Sequence, residues 1–233
     1  MSEPTSALLS VRGEARATVA ADSAVINGVL RATQDTKAEA LEAVAVGLRG
    51  LTGELGGLGG VPLNVDSRDQ PLTWSAYSAT TELEHEDDEQ GRYRRTGRVI
   101  ASVAVQLVVR SFDLLDRLSA VLATHDAFSI HHVAWEVDAD NSSWPEVRAA
   151  AIQAAIDKGR DYAAALGGSL DRVEHIADVG LLGGETTTAR AAVALSGRGF
   201  RSAGLPDTPS LDPVPQELIA VIDARFIAAV AAL

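Results

Sequence analysis

A chain of 233 residues with a formal net charge of −12 and no cysteine has room for one large domain or two small ones, and for a core that needs no covalent staple. It excludes disulfides, thiolate metal sites and a cysteine nucleophile, and its acidity disfavours nonspecific association with nucleic acid or anionic lipid, both of them polyanions. Aromatic residues make up only 4 % of the chain, so the core has to be built mainly from Ala, Val, Leu and Ile.

Met1 to Ser6 is short and polar. It lacks the basic region and apolar run of a secretory leader, and no stretch of the chain reaches the roughly 20 apolar residues of a membrane span. The expected location is the cytoplasm, or the periplasm if more chain precedes Met1. Leu8 to Gly13, Glu14 to Ala20 and Asp22 to Thr33 alternate with period two, which predicts strands. Gly13 is expected to mark a bulge or bend between the first two. Thr36-Lys-Ala-Glu39 has the form of a capping box. It opens a helix to about Leu55, with Leu41, Val44, Ala45, Leu48, Leu51 and Leu55 on one face. Gly56-Gly57 and Gly59-Gly60 end it.

Val61 to Asp66 and Leu72 to Leu83 read as strands. Residues 84–98 then run acid first and base second around Gly91, the pattern of a β-hairpin tip whose arms attract each other across the turn; the alternative is a binding loop or divalent-cation site, which needs the loop to fold back so that its acids converge. Arg98 to Val109 predicts a strand with one wholly apolar face, which needs a layer laid across it. A helix from Phe112 to Ala123, capped by Ser111, carries an apolar stripe of Phe112, Leu115, Leu118 and Leu122 suited to that role. Ile130 to Asp138 predicts another strand. Ser143 and Glu146 form a second capping box, with Pro145 in the first helical turn. The helix they open, Trp144 to Leu166, buries mostly alanine and stops at Gly167-Gly168. Leu170 to Val179 and Glu217 to Val230 are the last strands. Residues 180–216, rich in Gly and Pro, form a flexible excursion before the final one.

In this order, Leu9-Ser-Val-Arg-Gly13-Glu-Ala, Asp22-Ser-Ala-Val25, Val105-Gln-Leu-Val-Val109 leading into a helix, and the Ala-rich Arg148 to Gly167 ending in Tyr162-Ala and a Gly together resemble the SIMPL domain family, a domain of unknown function. Pro213-Val-Pro215 to Phe226 is similar to the family's last strand. Members include bacterial periplasmic immunogenic and oxidative-stress-defence proteins. The resemblance implies an α+β fold, antiparallel sheet packed with helices, with about three helices and seven to nine strands in a single domain over residues 7–233. It also implies an oligomer, since some relatives form large rings or channel-like assemblies. It brings no catalytic motif.

The residues themselves offer little chemistry. None of the five histidines forms a helical i, i+4 pair, and His131 and His132, adjacent in a strand, point to opposite faces. His132, Glu136 and Asp138 are expected to share one polar strand face, where a metal or small molecule could bind. Gly56-Gly-Leu-Gly-Gly60 follows a helix and precedes a strand, the reverse of a phosphate-binding loop. Gly180-Leu-Leu-Gly183-Gly184-Glu lacks the lysine such a loop needs. Trp74, Trp135 and Trp144 read as packing residues or an interface. No catalytic residue, cofactor or metal ligand is assigned. The expected function is a non-enzymatic self-assembling or protein-interaction module, homo-oligomeric, with no nucleic-acid or membrane partner. The alternative is a small-molecule or metal-binding enzyme using the polar strand face. A third reading is a scaffold that holds a partner through residues 180–216.

Overall fold

The computed structural model describes residues 5–67, 69–87, 93–179, 181 and 211–231. Its elements in chain order are β1 (Thr5–Val19), β2 (Ser23–Gln34), α1 (Lys37–Gly57), β3 (Val61–Pro62), β4 (Leu72–Asp87), β5 (Tyr93–Val109), α2 (Leu115–Ala123), β6 (Phe128–Glu136), α3 (Trp144–Ala165), β7 (Ser169–Asp178) and β8 (Gln216–Val230). The fold is α+β, with three α-helices and eight strands among the described residues. The strands form two sheets, β1-β8-β7 and β3-β4-β5-β2-β6, antiparallel except where β3 runs parallel to β4. The chain divides into two compact units, one holding the smaller sheet and α3, the other the larger sheet with α1 and α2.

In the smaller unit β1 pairs with β8 in unbroken register from Thr5↔Val230 to Val19↔Gln216. The expected bulge at Gly13 is absent, and the two predicted opening strands are one. Gly13 is small for another reason. A Cβ there would collide with the Ala151 carbonyl oxygen and lie 2.8 Å from the Ala155 Cβ, so its bare Cα lets the alanine face of α3 settle onto the sheet. That face is Val147, Ala151, Ala155, Gly159 and Ala163, a four-residue repeat that keeps small groups on one side of the helix. It covers Leu218, Ala220, Ile222, Ala224, Phe226 and Ala228, the buried alternate residues of β8.

In the larger unit β5 supplies Val105, Leu107 and Val109, and β2 supplies Ala24, Ile26 and Leu30, to a core closed by Leu51 and Leu55 of α1 and by Leu115, Leu118 and Leu122 of α2. Each fully buried Leu- or Ile-sized side chain contributes about 1.5–3 kcal/mol, and this apolar layer is why the two helices lie on that face. In the first turn of α1 it is Ala40 that is buried, while the predicted Leu41 is exposed. The capping box at Thr36 and Glu39 is formed. The second box is not: Ser143 is itself in helical conformation and its side chain caps nothing. Ser111 likewise makes no side-chain cap. Both long helices end as expected. Gly59 (φ 83°) and Gly167 (φ 71°) adopt left-handed backbone, and the amides of Gly60 and Gly168 donate back to the Leu55 and Ala163 carbonyls, which is the Schellman arrangement. Val61 to Asp66 is only a two-residue strand followed by a 3-10 turn over Val65–Ser67.

Candidate functional site

The polar face expected on the strand of His132 does not assemble into a site. β6 ends at Glu136, and its register against β2 shifts between Asn27 and Gly28, so that His132 stands beside Asn27 and Ile130 beside Gly28. Glu136 pairs with Ser23, four residues along, which is about 13 Å at strand rise and too far to share an ion with His132. Asp138 lies beyond the strand and is held elsewhere. Arg110 Nη1 donates to its Oδ2 at 2.6 Å, and its own amide donates to Asp22 Oδ2 at 2.8 Å. No group of three or more metal-ligating side chains occurs among the described residues.

The Asp22, Arg110 and Asp138 cluster was invisible in the sequence, because its members come from the start of β2, the end of β5 and the residues after β6. The Asp138 hydrogen bond raises the Arg110 pKa above its ordinary value, against the opposing effect of burial. The Asp22 amide also donates to the Glu136 carbonyl at 2.8 Å, so the cluster fastens both ends of the continuous segment 20–138.

The charged hairpin is as the sequence implies over its described part. Glu86 stands opposite Arg94 and His85 opposite Arg95, and Thr96 Oγ1 donates to Glu84 Oε2 at 2.8 Å. Residues 88–92 of its tip lie outside the described residues, as do residues 182–210 of the Gly/Pro-rich excursion and Gly183-Gly184 with them. Leu211 is described, and packs against the core of the larger unit. The Gly56–Gly60 run cradles nothing, because the amides of Gly59 and Gly60 are spent on the helix end. Trp74 and Trp135 pack against the larger core, Trp135 edge-on to Phe112 with ring centroids 5.5 Å apart. Trp144 carries the Arg148 guanidinium over its ring at 5.1 Å.

His125 also went unnoticed in the sequence. Its Nε2 is buried without a hydrogen bond and lies 3.5 Å from Glu54 Oε2, which links the end of α1 to the turn after α2. In the smaller unit a cavity of about 360 Å³ is lined by Ser10, Val11, Arg12, Asp223, Ala224 and Arg225. Arg12 spans its Asp223 neighbour with two hydrogen bonds, Nε to Oδ1 at 2.8 Å and Nη2 to Oδ2 at 3.3 Å. The hydrogen bond to Asp223 raises the Arg12 pKa.

Among the described residues, β7 exposes large apolar side chains at the edge of a sheet. It is the last strand of the β1-β8-β7 sheet, exposed over nearly its whole length, with Val173 at 48 % and Ile176 at 42 % of full exposure.

No curated protein matches this chain. The family SIMPL, described as "Protein of unknown function (DUF541)", matches residues 9–226. That span runs from the first strand into the last and takes in both sheets and all three helices, so the chain belongs to the SIMPL family.

Proposed function

We propose that this SIMPL protein is a non-enzymatic assembly module whose partner is further copies of itself. The observation that supports the reading is the exposed apolar content of the smaller sheet's two outer strands: Leu8 on β1, and Val173 and Ile176 on β7. An edge strand offers unpaired backbone donors and acceptors, and folds that stay monomeric blunt it with charge, proline or cover. On β7 large aliphatic side chains stand exposed between charged residues of both signs, and charges of both signs can pair with a second copy where charges of one sign would repel it. The alternative reading on the His132 face loses its support, because Asp138 is held by Arg110 and the two remaining residues stand too far apart.

Light scattering behind size exclusion on the full chain tests the proposal. A discrete mass at an integer multiple of 24.3 kDa, stable on dilution, is the expected result. A monomer across the whole concentration range overturns it.

A further inference from the structure

Strand β7 reads as its own complement. We propose that the assembly contact is an antiparallel β7–β7 pairing between two copies, with a two-fold axis through Val173, so that two three-stranded sheets become one of six. This rests on the self-assembly reading above and names the surface that carries it.

The register of β7 on β8 sets which of its residues share a face. Leu170 pairs with Ala228, Arg172 with Ile227, Val173 with Phe226, His175 with Arg225 and Ile176 with Ala224, with shifts between Leu170 and Arg172 and between Val173 and His175. Asp171 and Glu174 are therefore the extra residues of two bulges. A bulge lets two neighbours share one partner, so the strand departs from simple alternation. Leu170, Val173 and Ile176 all stand beside residues of β8 that face α3, namely Ala228, Phe226 and Ala224. The pairs Asp171-Arg172 and Glu174-His175 take the other face.

Now let the strand run against a second copy of itself about Val173. Leu170 meets Ile176, Asp171 meets His175, Arg172 meets Glu174, and Val173 meets Val173. Leu170, Val173 and Ile176 each find an apolar residue on the same face, while Ala177 at the strand end meets the small Ser169. Arg172 finds the opposite charge, and Asp171 finds an imidazole that can donate to it. Cross-strand pairs of these kinds are the favourable ones, and like charges directly opposite are not. An isologous contact requires this self-complementarity. Bulges commonly protect an edge by bending it away from partners, but these two do not break the match. The doubled steps 171–172 and 174–175 are mirror images about Val173, so both copies bend alike. Arg172 now spends its guanidinium on its own neighbour Asp171, at 2.8 Å in an exposed pair. That contact is easily exchanged for Glu174 of the second copy.

The chain has no cysteine, so single thiols report on the axis cleanly. At the axis, facing Cβ atoms lie about 4.5–5.5 Å apart. Val173→Cys treated with a short bis-maleimide is expected to move most of the chain to a covalent dimer. Ile176→Cys is expected to stay uncrosslinked, since its two copies are about 20 Å apart along the strands. The double variant Leu170→Cys with Ile176→Cys restores the cross-link.

Charge reversal supplies an independent arm. Arg172→Glu or Glu174→Arg alone sets like charges opposite each other and is expected to weaken the dimer at least tenfold by light scattering, while the double reversal recovers it. Circular dichroism on each variant separates lost pairing from lost folding. If the wild-type chain assembles but Val173→Cys does not cross-link and the single reversals leave the mass unchanged, the β7 axis is wrong while self-assembly stands. If the wild-type chain is a monomer, both fall together.

Discussion

Gly13 has no side chain because the backbone of α3 occupies the place where one would go. An alanine methyl at this position meets the Ala151 carbonyl, which is backbone and cannot rotate away. Gly13→Ala is therefore expected to lower stability by about 1–3 kcal/mol, the usual cost of overpacking, read as a lower urea midpoint with unchanged slope. Gly28 is small for a comparable reason: a Cβ there would lie 2.6 Å from the Phe128 Cε2 and closer still to its Cζ.

At Arg110 the determining effect is charge. Its guanidinium is 30 % exposed, and its partner Asp138 35 %. A hydrogen bond to a charged group contributes about 1.5–3 kcal/mol when well buried. Discounted for solvent, Arg110→Met is expected to cost about 1 kcal/mol. The folded-state pKa of Arg110 is raised, so the stability it contributes is complete at every pH below the ordinary arginine range and is lost only as pH climbs through the raised value. The difference between wild type and Arg110→Met, measured by thermal melts from pH 7 to pH 10, is expected to stay constant on the arginine side of the pair.

Among elements, the two long helices begin with similar sequences and different structures. Thr36 has extended backbone, and its Oγ1 accepts from the Glu39 amide at 3.3 Å while Glu39 Oε2 accepts from the Thr36 amide at 3.1 Å. Ser143 is followed three residues later by Glu146, yet its own backbone is already helical. Its amide is turned to Asn141 Oδ1 at 2.9 Å, so the hydroxyl has no cap to make. Thr36→Ala is expected to cost about 1 kcal/mol and Ser143→Ala close to nothing, a contrast that paired thermal melts resolve. A capping box is a local pattern, but whether it closes depends on the direction from which the chain arrives. Before α1 the chain comes straight out of β2. Before α3 it comes through the turn of Asn141.

At the scale of the whole molecule, the larger sheet with α1 and α2 is built almost entirely from one continuous segment. Among the described residues, 20–138 hold β2 to β6, both helices and every buried member of the larger core, and half-buried Leu211 is the one described contribution from elsewhere. The hydrogen bond from the Asp138 amide to Asp22 fastens the two ends of that segment together. Residues 20–138 expressed alone are therefore expected to fold, with a cooperative melt and dispersed amide resonances. A non-cooperative melt would show that the rest of the chain is needed to complete that core. The smaller sheet has no such independence, since β1 comes from the start of the chain and its partner β8 from the end.

Local chemistry determined the elements of this protein. Period two in Leu8 to Thr33, the apolar face of residues 99–109, the Thr36 box and the two glycine pairs each act within a few residues, and each has its structural counterpart. The SIMPL family was legible for the same reason, because it is written as an order of such local patterns. Tertiary structure alone decided which strands pair. β1 pairs not with the next strand β2 but with β8, and β2 enters between β5 and β6, because burying each apolar face selects partners far apart in sequence. It also decided that Gly13 serves close packing and not a bend, that Asp138 belongs to Arg110, and that the alternation of β7 is broken twice. A one-residue shift in register exchanges the faces of a strand, and no local pattern records it.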